Sequence, residues 1–196
     1  MKIVGLTGQT GAGKTTISSI FEENGFYVID CDQVSRQVTE DGSPCCKALA
    51  EHFPEHFRQG YSLDRQSMAR DVFSSKERLE LLNKLIYPFI TEEISLRISQ
   101  VPEVCQYILL DAPTLFEAGV DKLCCLTIAV VAAENIRLER IIRRDGLDPE
   151  LAKKRSRSQH DTEFFRQHCD YIIDNSDDLD SALRQTEEII RRIKDD

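Results

Sequence analysis

The sequence predicts an α/β fold on a parallel sheet, and three observations carry that prediction. A glycine-rich motif near the start stands between a β-prone run and a helical pattern. Short, mostly continuous apolar runs recur along the chain, and segments of helical spacing separate them. Apolar runs without alternation suit strands covered on both faces.

The first strand is expected over residues 2–7. It leads into Gly8-Gln9-Thr10-Gly11-Ala12-Gly13-Lys14-Thr15-Thr16, a match to G-x-x-x-x-G-K-[ST] in the strand–loop–helix setting the motif requires. Glycines let successive backbone N–H groups turn inward around phosphates. Gly11, Ala12, Gly13, Lys14, Thr15 and Thr16 are therefore the expected nucleotide-binding residues. Lys14 would reach the β- and γ-phosphates, Thr15 would offer its hydroxyl to Mg²⁺, and the helix start would add partial positive charge. The helix that follows places Ile17, Ile20 and Phe21 on one face and stops near Gly25.

Further strands are expected over 26–30, 107–111, 126–131 and 171–174. A last helix over 178–194 sets Leu179, Ala182, Leu183, Ile190 and Ile193 on one face as a cover for the sheet. Between the second and third strands the chain is far longer than a crossover needs. Helical spacing over 44–53, 65–73 and 76–87 marks a folded insert, with Pro88 expected to kink or interrupt the last helix. Leaving and re-entering the sheet beside the phosphate loop, the insert is expected to overhang the nucleotide crevice and seat a second substrate.

Within a chain of net charge −9, Arg137, Arg140, Arg143, Arg144, Lys153, Lys154, Arg155 and Arg157 crowd together. Asp148-Pro149 marks a helix start, so this stretch reads as helix, turn at Asp145-Gly146, helix. A basic hairpin in an acidic nucleotide-binding chain suits a lid, about residues 141–162, that closes over phosphates.

Composition narrows the partners. A hydrophobic content of 41% with 30% charged residues is ordinary for a water-soluble chain. The negative net charge argues against general nucleic-acid or membrane-surface binding. No transmembrane run or secretory leader is visible, so a cytoplasmic protein is expected. Seven cysteines without a C-x-x-C read as small buried hydrophobes in a reducing compartment. His52 and His56 are separated by Pro54, which spoils a shared helical metal face, and are expected at the surface.

Phosphoryl transfer also needs a group to hold or deprotonate the attacking hydroxyl. Val28-Ile29-Asp30-Cys31-Asp32 sets two carboxylates at a strand end on one side, with Asp32 the better base and also the expected N-cap of a helix from Gln33. Asp111, ending Tyr107-Ile108-Leu109-Leu110, has the form of a Mg²⁺-organising carboxylate or of a turn-forming residue before Ala112-Pro113.

With these residues in place the chain resembles the dephospho-coenzyme A kinase family. The matching blocks are the phosphate loop, Val28 to Asp32 with Arg36, Gly42-Ser43-Pro44, Leu63-Asp64-Arg65 to Val72-Phe73, Leu110-Asp111-Ala112-Pro113-Thr114-Leu115-Phe116-Glu117, Arg144-Asp145-Gly146-Leu147, Arg155 with Gln159, and Ile172-Ile173-Asp174-Asn175-Ser176. The resemblance implies transfer of the γ-phosphate of ATP to the 3′-hydroxyl of dephospho-CoA. It implies a P-loop kinase three-layer fold with a five-stranded parallel sheet in the order 2-3-1-4-5. The core would comprise residues 1–34 and 104–196, and residues 35–103 the acceptor-binding insert.

It also implies roles. Asp32 would be the base, and Lys14 and Arg144 would act on the transferring phosphate. Asn175 and its neighbours would border the adenine, and Thr15 and Asp111 would serve Mg²⁺. Arg65, Leu115, Phe116 and Glu117 would meet dephospho-CoA. A monomer or small homo-oligomer is expected. Tyr87 and Thr114 depart from the family pattern, on the acceptor side. Two other readings need different features. A regulatory GTPase wants Asn-Lys-x-Asp, but Asn83-Lys84 runs into Leu85-Ile86. A nucleoside monophosphate kinase, or another metabolite kinase, has no evident use for so large an insert.

Overall fold

In a computed structural model that describes residues 1–146, 148–157 and 159–195, each expected apolar run forms a strand. The elements are β1 (Lys2–Gly8), α1 (Lys14–Glu23), β2 (Tyr27–Asp30), α2 (Cys31–Val38), α3 (Pro44–His52), β3 (Phe57–Arg58), β4 (Ser62–Leu63), α4 (Arg65–Val72), α5 (Lys76–Gln100), β5 (Tyr107–Asp111), β6 (Leu126–Val131), α6 (Glu134–Asp145), α7 (Pro149–Arg157), α8 (Thr162–His168), β7 (Tyr171–Asp174) and α9 (Leu179–Asp195). The chain divides into two compact units, Met1–Ile29 with Pro102–Asp196, and Asp30–Val101.

The first unit is built on the parallel sheet, in the order β2-β5-β1-β6-β7. Counting only these strands in chain order, that is the expected 2-3-1-4-5. Val4 in the central strand pairs with Leu109 on one side and Leu126 on the other. Alternate side chains serve opposite faces. Ile128, Val130 and Ile173 join Ile17, Phe21, Ala182 and Ile190 of α1 and α9, whereas Ala129, Val131 and Ile172 meet Phe165 of α8. Helices therefore cover both faces, which is why these strands lack polar alternation. Each buried Ile or Phe contributes about 1.5–3 kcal/mol. On α9 the buried stripe is Ala182, Thr186, Ile189, Ile190 and Ile193, while Leu179, expected on it, is exposed at the helix start. Thr186 fits this core because its hydroxyl donates to Ala182 O at 2.7 Å.

The second unit packs α2 to α5 around Cys45, Leu49, Phe53, Met68 and Val72. Side-chain caps start its helices, among them α3, α4 and α5. Ser43 accepts from Cys46 N at 3.1 Å, Asp64 from Ser67 N at 3.0 Å, and Ser75 from Arg78 N at 3.4 Å. Several expectations are corrected here. Pro88 does not interrupt α5, which continues to Gln100 because Leu82, Leu85, Ile86 and Phe89 before and after it pack on the core. The small antiparallel pair of β3 and β4 lay outside the sequence reading.

His56 is buried rather than at the surface. Its Nδ1 meets Ser67 Oγ and its Nε2 meets Asp71 Oδ2, each at 2.8 Å. Glu55, His56 and Asp71 could present a metal's ligand set, but the Arg78 guanidinium bridges both carboxylates and lies over the Phe53 ring. The cluster thus has its cation built in. The cysteines are all free thiols, and only Cys31, Cys45 and Cys46 are fully buried; Cys125 is exposed.

Candidate nucleotide site

The phosphate loop connects β1 to α1, and Gly13 takes φ +99° as the residue before the helix. No side chain caps α1, so its first N–H groups and the positive end of its dipole face outward as an anion site. The loop is braced by residues remote in sequence. Asn175 Nδ2 donates to Ala12 O at 2.7 Å. Arg140 donates to Gly11 O and Ala12 O, each at 3.4 Å, and to Asn175 O at 3.3 Å. Gln159 accepts from Thr10 N at 2.7 Å, and Gln9 Nε2 donates to His160 O at 3.3 Å. Space is as tight as bonding: a Cβ on Gly13 would lie 2.4 Å from Asn175 Nδ2.

Lys14 Nζ forms an ion pair with Asp111 at the end of β5, and both side chains are largely buried. Thr15 and Thr16 are exposed in the first turn of α1. A hydroxyl and a carboxylate at the phosphate loop form a hard oxygen set that fits Mg²⁺, which takes few protein ligands beside phosphate oxygens.

The basic stretch forms α6 and α7, joined through Gly146; Leu147, Ser158 and the side chain of Arg157 lie outside the described residues. Its cations divide into two kinds. Arg137 is buried, donating to Ala132 O at 3.1 Å and Ser156 Oγ at 2.9 Å, so it ties the helices together. Burial holds its guanidinium pKa below the usual arginine value. Arg144 is exposed and bonds Asp145 through Nε at 2.7 Å and Nη2 at 2.9 Å, while Arg155 reaches the same carboxylate at 2.8 Å. The bond from Arg144 is the main cause that holds the Asp145 carboxyl below the usual carboxylate range. Two guanidiniums thus offset an acid at a helix C-terminus, where the dipole disfavours it.

A cavity of about 480 Å³ adjoins these helices, lined by Gln9, Ala133, Arg137, Gln159, Asp174 and Ser176 among others. Asn175 lies between two of its wall residues. It is itself buried against the loop, with Oδ1 unpartnered.

The remaining expected residues fall out as follows. Asp30, not Asp32, is the N-cap of α2, accepting from Gln33 N at 3.0 Å. Asp32 sits exposed in the first helical turn, so the two carboxylates do not share strand geometry. Arg65 donates to Thr39 Oγ1 at 2.9 Å, Thr39 O at 2.7 Å and Arg36 O at 3.3 Å, closing the C-terminus of α2. Leu115 is fully buried against Gly5, where a Cβ would come within 2.9 Å of it. Phe116 is half-buried, and Glu117 pairs with His160 Nε2 at 3.3 Å. The sequence reading did not single out the roles of Arg140, Gln9 and His160, whose partners lie across the fold.

A family model described as dephospho-CoA kinase matches residues 2–181. The chain belongs to this family. A dephospho-CoA kinase of Idiomarina loihiensis is 35% identical over 191 residues, spanning 97% of this chain and 94% of that relative. A crystal structure of a Thermus thermophilus protein superposes with TM-score 0.83 at 29% identity, covering 97% of both chains. The dephospho-CoA kinase of Campylobacter jejuni superposes with TM-score 0.70 at 25% identity, covering 98% of both. A shikimate kinase from Bacteroides thetaiotaomicron, 13% identical with TM-score 0.56, shares the fold. Membership makes the chain a kinase, hence a transferase, with ATP as donor. Among the described residues no helix is long and apolar enough to cross a membrane.

Proposed function

We propose that this chain transfers the γ-phosphate of ATP to the 3′-hydroxyl of dephospho-CoA, with the loop before α1 as the donor site and Asp32 as the base. One observation carries the reading: the uncapped start of α1, with Lys14 and Asp111 beside it, in a chain of this family. The reaction itself, ATP-dependent phosphorylation of dephospho-CoA in coenzyme A synthesis, is the family's.

In this scheme Asp32 takes the proton of the attacking hydroxyl, whose oxygen forms a bond to the γ-phosphorus. The bond from that phosphorus to the β–γ bridging oxygen breaks, and ADP leaves with the electron pair. Lys14 leaves Asp111 for the phosphates, and Arg144 gives up Asp145 for the transferring group. Both exchanges replace one anion by another, so no cation is stranded. Thr15 and Asp111 would hold Mg²⁺, which when bound would offset negative charge on the phosphates. The cavity beside Asp174 and Ser176 receives the nucleoside end of ATP. Residues 35–103, together with the segment Leu115-Phe116-Glu117, receive dephospho-CoA, with Arg65 acting there by closing α2. Residues 1–34 and 104–196 serve as the nucleotide core, and the enzyme works in the cytoplasm as a monomer or small homo-oligomer.

An ADP-release assay with ATP, Mg²⁺ and a panel of acceptors tests the reading. Turnover is expected only with dephospho-CoA, and Asp32→Asn is expected to lower kcat about 10²-fold or more, the scale of a lost acid–base group. Full rate in the Asn variant would remove Asp32 from the role; turnover with a mononucleotide instead would remove the acceptor.

A further inference from the structure

Gln159 and His160, in the segment between α7 and α8, touch two parts of the first unit at once. On the donor side, Gln159 Oε1 accepts from Thr10 N at 2.7 Å and His160 O accepts from Gln9 Nε2 at 3.3 Å. On the other side, the His160 ring offers Nε2 to Glu117 Oε1 at 3.3 Å, with both side chains about a third exposed. The ring is not free to swing. It stacks on Phe164 with centroids 3.6 Å apart and planes 7° from parallel. Phe164 in turn stacks on His168 at 4.1 Å and takes Phe116 edge-on at 5.4 Å. Asp161 caps α8 by accepting from Phe164 N at 2.8 Å, which fixes the ladder to the helix start.

An exposed ion pair alone contributes little stability. A ring held by a stack on one face has a different value: it restricts where a paired carboxylate can point. We propose that His160 is a positioning residue for the acceptor, holding the Glu117 carboxylate in the orientation that meets dephospho-CoA. This deepens the assignment above and rests on residues 115–117 belonging to the acceptor side. The backbone arm to Gln9 and the Gln159 arm to Thr10 do not involve the ring. Changing the ring therefore cuts only the Glu117 arm and leaves the phosphate loop braced.

Steady-state kinetics of His160→Phe, Glu117→Gln and the double variant test this, since Phe keeps the stack on Phe164 and lacks the donor. For each single variant, KM for dephospho-CoA is expected to rise about 2- to 5-fold, the range carried by one partly exposed ion pair. Meanwhile kcat holds, any change in KM for ATP stays smaller than that for dephospho-CoA although His160 also lines the cavity beside Asp174 and Ser176, and the double variant is no worse than the weaker-binding single. His160→Gln, which retains an N–H donor, is expected to recover part of the loss and serves as the comparison should the Phe variant fold poorly. If Glu117→Gln raises KM for dephospho-CoA while His160→Phe and His160→Gln do not, the positioning role is wrong and the acceptor assignment stands. If Glu117→Gln leaves that KM unmoved, the acceptor assignment of this segment falls and the proposal with it. A rise in KM for ATP larger than that for dephospho-CoA, or full additivity in the double variant, also overturns it.

Discussion

At Gly13 the chain takes a φ that side chains rarely adopt, and a Cβ there would collide with the amide nitrogen of Asn175. The collision cannot be relieved cheaply, because that nitrogen is bonded to Ala12 O and Asn175 is almost wholly buried. Gly13→Ala is therefore expected to weaken ATP binding about tenfold or more, adding a steric clash to the 1–2 kcal/mol of a left-handed side-chain residue. Titration with a non-hydrolysable ATP analogue checks it, and an unchanged Kd would show that the loop tolerates the shift. Arg65 poses a different residue-scale question, since its donors already close the end of α2. Arg65→Ala is expected to destabilise the protein by about 1 kcal/mol, the net value of a typical lost hydrogen bond. A lower Tm with an unmoved KM for dephospho-CoA would assign it to structure alone.

The elements show which local signals survive folding. Strands came out at or within a residue of their expected bounds because each run is apolar on both sides and bounded by turn residues. The start of α2 came out differently. Either Asp30 or Asp32 could cap a helix by type, and the register of the turn after β2 chose Asp30. Asp30→Ala is expected to cost about 1 kcal/mol, the usual value of an N-cap, measured by urea unfolding. Pro88 carries the opposite lesson. A proline inside a helix removes one backbone bond and crowds the preceding turn, at about 3 kcal/mol. In α5 that is outweighed by a row of apolar side chains spanning it, a term that local propensity does not contain.

For the whole molecule, charge sets the response to acid. Glu55, Asp64, Asp71 and Asp145 all have carboxyl pKa values below their ordinary ones. For Asp71 the His56 bond leads, and for Asp145 the Arg144 bond leads; for Glu55 and Asp64 backbone N–H bonds lead. A depressed folded-state pKa stabilises above the unfolded value and loses that contribution as pH falls through the folded value. Stability is therefore expected to hold from about pH 7 to pH 5 and to decline below about pH 4, read as urea midpoints across the series. These groups keep access to solvent, so added salt should shrink the effect. A midpoint that rises on acidification would contradict it.

The sequence by itself determined the α/β class, the sheet strands, the phosphate loop and the family, because periodicity and a contiguous motif are local properties. It did not determine what holds the loop. Asn175 meets Ala12 across 163 residues, Gln159 meets Thr10 across 149, and Lys14 meets Asp111 across 97. No spacing rule reaches that far. Only the sheet order, which sets the carboxyl ends of β1, β5, β6 and β7 side by side, brings these groups together. The same fold buried Arg137 and left Arg144 exposed, although they are near neighbours of one type on one helix. Two turns apart, they share nearly the same helix face. Arg137 is covered by Ala132 and by Ser156 of α7, whereas Arg144 stands in the last turn, and that cover exists only after folding.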